Sequence, residues 1–270
     1  MMKKTLKKLV IGSAILITTS GCSEFALLAS GSSIAVSQNA YVKAYNGFDV
    51  LPIMSTEKDI KNHVYSKTKE FLNDKGDSSE YELLIEAVQS SCAVTQDPVL
   101  LCEIGVREGL GSKLMLDAAL EHYPKAHLVG IDPYGNLDYA HYDDKKSYRS
   151  DYTNKMKTQL KKDMAEYESF HLLEMTDAEY MYRFRDGYPI YDDEEKILKN
   201  YTCVHFDGPH QTVDVLREVL FFCQRSHVHT TFCFDDYKKY DMENIANVCS
   251  RYGFQKLKQG EQKMILRRNP

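Results

Sequence analysis

From Pro98 onward, short apolar runs of strand length alternate with amphipathic stretches of helix length. The five apolar runs are PVLLCEIG, AHLVGIDPYG, SFHLLEM, YTCVHFDGPH and VHTTFCFDDY. Parallel strands need a long crossover connection between them, and a helix usually supplies it. The alternation therefore predicts an α/β fold: a mostly parallel, Rossmann-like sheet with helices on both faces.

The segments between and around these strands predict the helices. They cover residues 79–92, 112–122, 145–167, 212–225 and 244–251. The polar insert from Arg185 to Asn200 has no recognisable signature.

The C-terminal segment FQKLKQGEQKMILRR departs from simple alternation. It predicts two strands joined by a tight turn at Gly260. Such a hairpin adds an antiparallel strand at one end of the sheet, which a plain dinucleotide-binding Rossmann domain does not need.

Acidic residues stand where four of the predicted strands end. They are Glu103, Asp132, Asp207, Asp235 and Asp236. In open α/β sheets, ligands bind outside the carboxyl ends of the strands. The sequence therefore predicts a ligand site at this edge of the sheet.

A glycine-rich turn, EIGVREGLGS, follows the first of these strands. Gly105, Gly109 and Gly111 allow either a ligand to approach the backbone or a close strand–helix packing turn. The GxxxGxG spacing differs from the GxGxxG fingerprint of NAD-binding proteins. Asp132 follows Gly111 by 21 residues, which is typical of an acid that binds ribose hydroxyls. The two features together favour a nucleoside site.

The motifs EIGVREGLGS, VGIDPYG, HFDGPH and CFDDY resemble those of class I S-adenosylmethionine-dependent methyltransferases. The closest resemblance is to the branch of small-molecule and sugar O-methyltransferases, and it covers Pro98 to Arg268. It implies a Rossmann-like methyltransferase sandwich that includes the terminal hairpin, with S-adenosylmethionine as cofactor.

The resemblance also implies roles for individual residues. Gly105, Gly109 and Gly111 would form the turn under the methionine part of the cofactor. Glu103 would neighbour this turn, and Ser112 would also belong to the cofactor site. Asp132 would hold the ribose. Asp177, after the third strand, would contact the adenine, although the same residue equally suits a helix N-cap.

Metal binding is a further implication of the resemblance, because several members of this branch hold a divalent metal after the fourth and fifth strands. Asp207, Asp235 and Asp236 match those positions, and carboxylate ligands suit Mg²⁺. A solvated acidic rim is the alternative.

The residues expected to carry the chemistry are Asp207 and His210. His210 would take the proton of the acceptor hydroxyl, or be structural. Where some metal-dependent relatives have DGD, this chain has Asp207-Gly208-Pro209, so a second carboxylate that could act as base is missing.

Composition bears on the class of partner and on the redox state of the cysteines. A net charge of −5 does not favour a nucleic-acid surface. A small-molecule substrate is what the resemblance implies. Seven cysteines lack CxxC spacing, and Cys102, Cys203 and Cys233 fall inside predicted strands. They are expected to be buried, reduced thiols.

The N-terminus, MMKKTLKKLVIGSAILITTSGC, resembles a secretory signal with a bacterial lipobox, which predicts a lipid anchor at Cys22 and a membrane-associated protein. Thr19 stands where that motif usually has leucine. The alternatives are a soluble amphipathic N-terminus or a mis-assigned start, and a cytoplasmic protein. The expected organisation is a signal segment at 1–22, a linker and helical appendage at 23–76, and a methyltransferase-like domain at 77–270.

The sequence therefore predicts methyl transfer to a hydroxyl of a small molecule or sugar, with Mg²⁺ as a candidate assistant. Two alternatives keep the same fold: a membrane-tethered binding protein without catalysis, and a hydroxylase-like relative. An NAD-dependent oxidoreductase is disfavoured by the glycine spacing and the terminal hairpin.

Overall fold

The computed structural model describes residues 79–95, 98–135, 137–143, 148–149 and 152–270. The predicted signal segment, with its lipid anchor at Cys22, and the 23–76 appendage lie outside these ranges. Within them, no helix combines the length and apolar character needed to span a bilayer.

Six helices and eleven strands follow one another along the described chain. The helices are α1 (Tyr81–Cys92), α2 (Leu110–Leu120), α3 (Asn154–Asp163), α4 (Asp177–Arg183), α5 (Thr212–Cys223) and α6 (Met242–Ser250). The first six strands are β1 (Leu100–Ile104), β2 (His127–Ile131), β3 (Asp138–Tyr139), β4 (Tyr148–Arg149), β5 (Phe170–Leu173) and β6 (Tyr188–Tyr191). The others are β7 (Glu195–Leu198), β8 (Tyr201–Phe206), β9 (Ser226–Phe234), β10 (Phe254–Gln259) and β11 (Met264–Arg268).

Seven strands form the central sheet in the order β10-β11-β9-β8-β1-β2-β5. Strands β9, β8, β1, β2 and β5 are parallel to one another, and β11 runs antiparallel between β9 and β10. The order reverses beside β1, so the chain crosses in both directions from the centre of the sheet. The predicted fold class, a mostly parallel Rossmann-like sheet with an antiparallel C-terminal hairpin, is confirmed.

The two faces of the central strands bury different side chains. Leu100, Cys102 and Ile104 of β1 belong to the large apolar core that also contains α5 and α6. Successive side chains of a strand point to opposite faces, so Glu103 points the other way, where Ser112 of α2 contacts it. Helix α1 packs against α2, β8 and β9. Both faces of the sheet are therefore covered.

Two connections differ from the sequence-based expectation. The long helix predicted over 145–167 is limited to α3, which begins at Asn154 because the Thr153 hydroxyl accepts the N–H of Met156. The insert without a signature forms the β6–β7 hairpin, in which Tyr188 and Ile190 are buried. Apolar residues at alternate positions give this hairpin one face for the core.

The cysteine prediction is confirmed within the described region. Cys102, Cys203 and Cys233 lie in β1, β8 and β9 and are completely buried. All six cysteines of the described region are unpaired thiols.

Candidate cofactor and acceptor site

A cavity of about 360 Å³ lies at the carboxyl ends of β1, β2 and β8. Its volume falls within the range of small-molecule sites, about 300–1,000 Å³. Gly105, Asp132, Asp177 and Asp207 all contribute to its wall. These four predicted site residues come from four separate segments of the sequence, and the parallel sheet brings them to one place.

The wall of this cavity combines acidic and apolar residues. Its charged residues are aspartates only: Asp132, Asp138, Asp177, Asp207 and Asp214. No lysine or arginine is among the described residues that line it. Ile104, Ile131 and Leu137 supply apolar surface. Such a cavity suits a ligand that joins a flat apolar group to positive charge, and it opposes a pyrophosphate.

Asp132 ties the end of β2 to the turn after β1. One of its carboxylate oxygens accepts the backbone N–H groups of Val106 at 3.1 Å and Arg107 at 2.9 Å, and the other accepts that of Tyr134 at 2.8 Å. Burial raises the pKa of Asp132, while the three N–H donors act in the opposite direction. Asp132 therefore shapes the turn in addition to lining the cavity. Its ribose contact stays a prediction.

The glycines of the turn are required by packing inside the protein. A Cβ atom on Gly105, whose φ is +83°, would lie 2.0 Å from the carbonyl oxygen of Asp207. A Cβ atom on Gly111 would lie 2.0 Å from a carboxylate oxygen of Glu103. Gly109, at φ +87°, precedes α2. The structure thus agrees with the close-packing interpretation, and cofactor contact by this turn is untested.

Glu103 and Ser112 lie below the glycine turn. Both are buried, and the Ser112 hydroxyl donates a hydrogen bond to Glu103. The other oxygen of Glu103 is 2.9 Å from Nδ1 of His205. Glu103 reaches a small adjoining cavity of about 30 Å³, whereas Ser112 lines neither cavity. The position of Ser112 is that of a support for Glu103.

Asp177 is the first residue of α4, and the N-cap is Thr176, whose hydroxyl accepts the N–H of Glu179. The N-cap alternative for Asp177 is therefore wrong. Asp177 lines the large cavity and pairs with the carboxyl group of Glu218, which is fully buried on α5. Burial raises the pKa of Glu218, so this carboxyl keeps its proton and donates it to Asp177. Asp177 is thus fixed at the wall of the cavity.

Asp207 lies between the two cavities and lines both, together with Gly105 and Tyr152. It follows β8 directly, and its N–H bonds the carbonyl of Ile104 at 2.9 Å, which continues the β1–β8 pairing beyond the strands. Of the two predicted catalytic residues, Asp207 is the one that reaches the cavity.

His210 does not line either cavity. Its ring packs among aromatic and histidine side chains, with ring centroids 5.8 Å from Tyr142, 5.7 Å from Tyr240 and 4.9 Å from His141. Burial lowers the pKa of His210 to about 4, so the ring is neutral at pH 7. Its Nε2 is 4.0 Å from a carboxylate oxygen of Asp236. This packing agrees with the structural alternative for His210.

The predicted metal ligands do not converge on an open point. The carboxylate of Asp235 is buried and forms an ion pair at 2.7 Å with the ammonium group of Lys263. Asp236 has φ +46° and points toward His210. Because Asp235 is buried, the alternative of a solvated rim does not apply to it. Its Oδ1 atom already contacts the ammonium group of Lys263. These residues do not fit a magnesium ion as predicted.

One other group within the described residues has the spacing of metal ligands: Glu103, His205 and Asp207, whose nearest oxygen and nitrogen atoms lie within 4.8 Å of one another. Both ring nitrogens of His205 have neighbours here. Nδ1 faces Glu103, and Nε2 is 3.4 Å from Nζ of Lys263. This group is therefore better described as an internal hydrogen-bond network.

Sequence reasoning missed His205, Lys263 and Glu218. A charged or polar residue inside an apolar run, such as His205 in VHF and Glu218 in α5, is a signal that could have drawn attention. Lys263 has no such signal, since it is one of 34 basic residues and precedes the last strand. The pairing of β11 with β9 brings it to Asp235.

No protein-family model and no curated protein match this sequence. Solved structures match it across most of their length. The calicheamicin methyltransferase CalS11 is 13% identical, with 93% of this chain and 94% of that chain covered and a TM-score of 0.45. An O-methyltransferase from Bacillus cereus in complex with SAH is 8% identical over 82% of this chain and 95% of that chain, with a TM-score of 0.47.

A third structure, that of the O-methyltransferase NovP, is 11% identical over 70% of this chain and 79% of that chain, with a TM-score of 0.45. At these identities and TM-scores the similarity extends to the fold alone.

Proposed function

We propose that this chain binds S-adenosylmethionine in the large cavity and transfers its methyl group to a hydroxyl of a small molecule. The observation that carries this proposal is the cavity wall, which holds five aspartates and no basic residue among the described residues. When bound, the cofactor supplies a methyl group on a positively charged sulfonium, and it carries an ammonium group as well. An acidic wall favours both charges by Coulombic attraction.

The residues present fit the parts of this cofactor. Asp132 follows β2, Asp177 begins α4, and both line the same cavity, where carboxylate oxygens accept hydrogen bonds from hydroxyl and amino groups. Ile104 and Ile131 provide apolar surface for a flat ring. The acidic wall disfavours NAD, because its pyrophosphate would face aspartates without a compensating lysine or arginine.

We propose that Asp207 holds the acceptor hydroxyl by a hydrogen bond. Burial and the neighbouring Asp235 raise the pKa of Asp207, so its carboxyl group keeps a proton that it donates to Asp235, and its other oxygen can accept the O–H of the acceptor. Asp207 lines the large cavity and the smaller one below the glycine turn, so it is the carboxyl group shared by the two spaces. His210 lies outside both walls and is proposed to support Asp236 and the loop of Tyr142. No step is assigned to a metal ion.

Titration calorimetry with S-adenosylmethionine, S-adenosylhomocysteine and NAD tests the cofactor. We expect both adenosyl compounds to bind and NAD not to bind. Failure of well-folded protein to bind either adenosyl compound would contradict the proposal. Methyl-labelled cofactor offered with a panel of phenols and sugars then tests the reaction. Binding without transfer to any hydroxyl would favour the non-catalytic alternative.

We also propose that the N-terminal signal tethers the protein to a membrane through Cys22. The support is the sequence alone: four lysines, an apolar stretch and Ser20-Gly21-Cys22. Metabolic labelling with palmitate in a bacterial host tests it, with Cys22→Ser as control. Wild-type protein that is neither labelled nor cleaved would contradict this proposal. The domain would then be expected in the cytoplasm, where S-adenosylmethionine is made.

A further inference from the structure

Lys263 is a completely buried lysine at the edge of the acidic site. Its Nζ atom is 2.7 Å from Oδ1 of Asp235, 3.4 Å from Nε2 of His205 and 5.2 Å from the ring centroid of Tyr81. A lysine is almost never fully buried unless it is paired. Its partners here are Asp235, which directly follows β9, and His205, which lies near the end of β8.

Two independent sets of contacts position Lys263. Strand β11 pairs with β9 so that Met264 lies opposite Phe234, and this register sets the preceding lysine beside the following Asp235. In addition, the Glu80 carboxylate accepts the N–H groups of Glu261, Gln262 and Lys263 at 2.7, 2.9 and 2.9 Å. The turn that carries the lysine is therefore held from both sides.

Glycine is needed at the start of this turn because Glu80 approaches so closely. A Cβ atom on Gly260 would lie 2.3 Å from a carboxylate oxygen of Glu80. The Glu80 carboxylate thus fixes the turn between β10 and β11. This turn then positions the ammonium group of Lys263.

Lys263 lies where two carboxyl groups meet. Asp207 and Asp235 are hydrogen-bonded to each other, so a proton lies between them, and Glu103 lies on the far side of His205. That proton offsets the repulsion within the pair. The ammonium group of Lys263 matches the negative charge that remains on Asp235. A divalent ion placed between Asp207 and Asp235 would meet an ammonium group bonded to one of its own ligands.

We propose that Lys263 takes the place of a divalent cation in this site, so that the protein neutralises Asp207 and Asp235 internally and binds no metal ion between them. The structure gives Lys263 a positioning role: it holds Asp235, which in turn contacts Asp207 at the cavity. A second consequence is that removing the ammonium group without changing the carboxylates should create a metal site.

The test uses Mn²⁺ as the probe and electron paramagnetic resonance of free Mn²⁺ as the measurement. We expect wild-type protein not to bind Mn²⁺ at this site. We expect Lys263→Gln to bind it with a Kd at least about tenfold below the detection limit set with wild-type protein, because the carboxyl groups lose their counter-ion. A further Asp235→Asn change should remove the gain.

The chain offers a matched control. Lys113 is also completely buried and forms an ion pair at 2.8 Å, with Asp117 on α2. Lys113→Gln removes an equivalent charge away from the site and should leave Mn²⁺ binding at the wild-type level. Lys263→Arg keeps the charge and should also bind no Mn²⁺.

Two outcomes would overturn the proposal. One is Mn²⁺ binding by wild-type protein that Asp235→Asn abolishes, a measurement that does not need the Lys263→Gln variant to fold. The other is a folded Lys263→Gln protein with no gain in affinity. Neither readout involves S-adenosylmethionine, so failure here is distinct from failure of the proposed methyl transfer.

Discussion

Asp132 accepts the backbone N–H of Arg107 at 2.9 Å, so the carboxylate at the end of β2 holds the turn that follows β1. The same oxygen also accepts the N–H of Val106. A residue that sequence reasoning assigns to a ligand is thus also part of the scaffold that shapes the cavity. Substitutions here act on stability and on binding together.

Asp132→Asn should therefore destabilise the protein. Asparagine keeps one acceptor oxygen but turns an NH₂ group toward a backbone donor, which costs about 1–3 kcal/mol in the free energy of unfolding. Binding of S-adenosylhomocysteine should weaken as well. Urea denaturation and calorimetry measure the two effects. Asp138→Asn, on the exposed rim of the same cavity, is the control and should leave stability unchanged. Equal stability of both variants would contradict the prediction.

Gly105→Ala should be severely destabilising. The added methyl group would collide with the backbone of Asp207 and Gly208, which no side-chain rotation relieves. A loss of about 3 kcal/mol or more is expected, as for other changes that force backbone movement. Thermal denaturation measures it. Gly253→Ala has a similar φ of +87° but no contact below 3.5 Å, and should lose only about 1 kcal/mol. Similar losses in the two variants would show that φ strain alone decides.

Glu218→Gln should make the protein less sensitive to pH. Because burial raises the pKa of Glu218, the folded protein retains a proton that the unfolded chain releases above about pH 4.5. Wild-type stability should then fall as pH rises above that value, by at most about 1.4 kcal/mol per pH unit.

Glutamine carries no such titration, and its NH₂ group still donates to Asp177. The variant should match wild type near pH 4 and be more stable at pH 8, as urea denaturation across this range would show. Glu166→Gln, on the surface, should keep the wild-type dependence. A wild-type curve parallel to that of Glu218→Gln would mean that Glu218 is ionised in the fold.

Asp207→Ala and His210→Gln should separate the two predicted catalytic residues. With an acceptor identified from the panel, Asp207→Ala should lower kcat by about tenfold or more, because it removes the carboxyl group that would hold the acceptor hydroxyl by a hydrogen bond. His210→Gln should lower it less, since its ring lines neither cavity. Affinity for S-adenosylhomocysteine, measured in parallel, should change little in both. A larger loss in His210→Gln would instead support the histidine as base.

The sequence by itself determined the order of the five parallel strands, the C-terminal hairpin and the edge of the sheet where the candidate site lies. These follow from local patterns: apolar runs of strand length, and acids at the points where those runs end. Glu103, Asp132 and Asp207 could be found this way because their neighbours in sequence define the strand ends. The helix predicted over 145–167 is longer than α3 because the polar residues of this segment show no strong periodicity that would mark where a helix begins and ends.

Only the tertiary structure decided which charges meet. Lys263 and Glu80 are far apart in sequence, yet the β9–β11 register and the turn at Gly260 bring one to Asp235 and the other to the turn itself. The pairing of Glu218 with Asp177 depends in the same way on how α5 packs near α4. Local patterns carry no information about such contacts, because the Coulombic energy of a buried group depends on the distances that the whole fold sets.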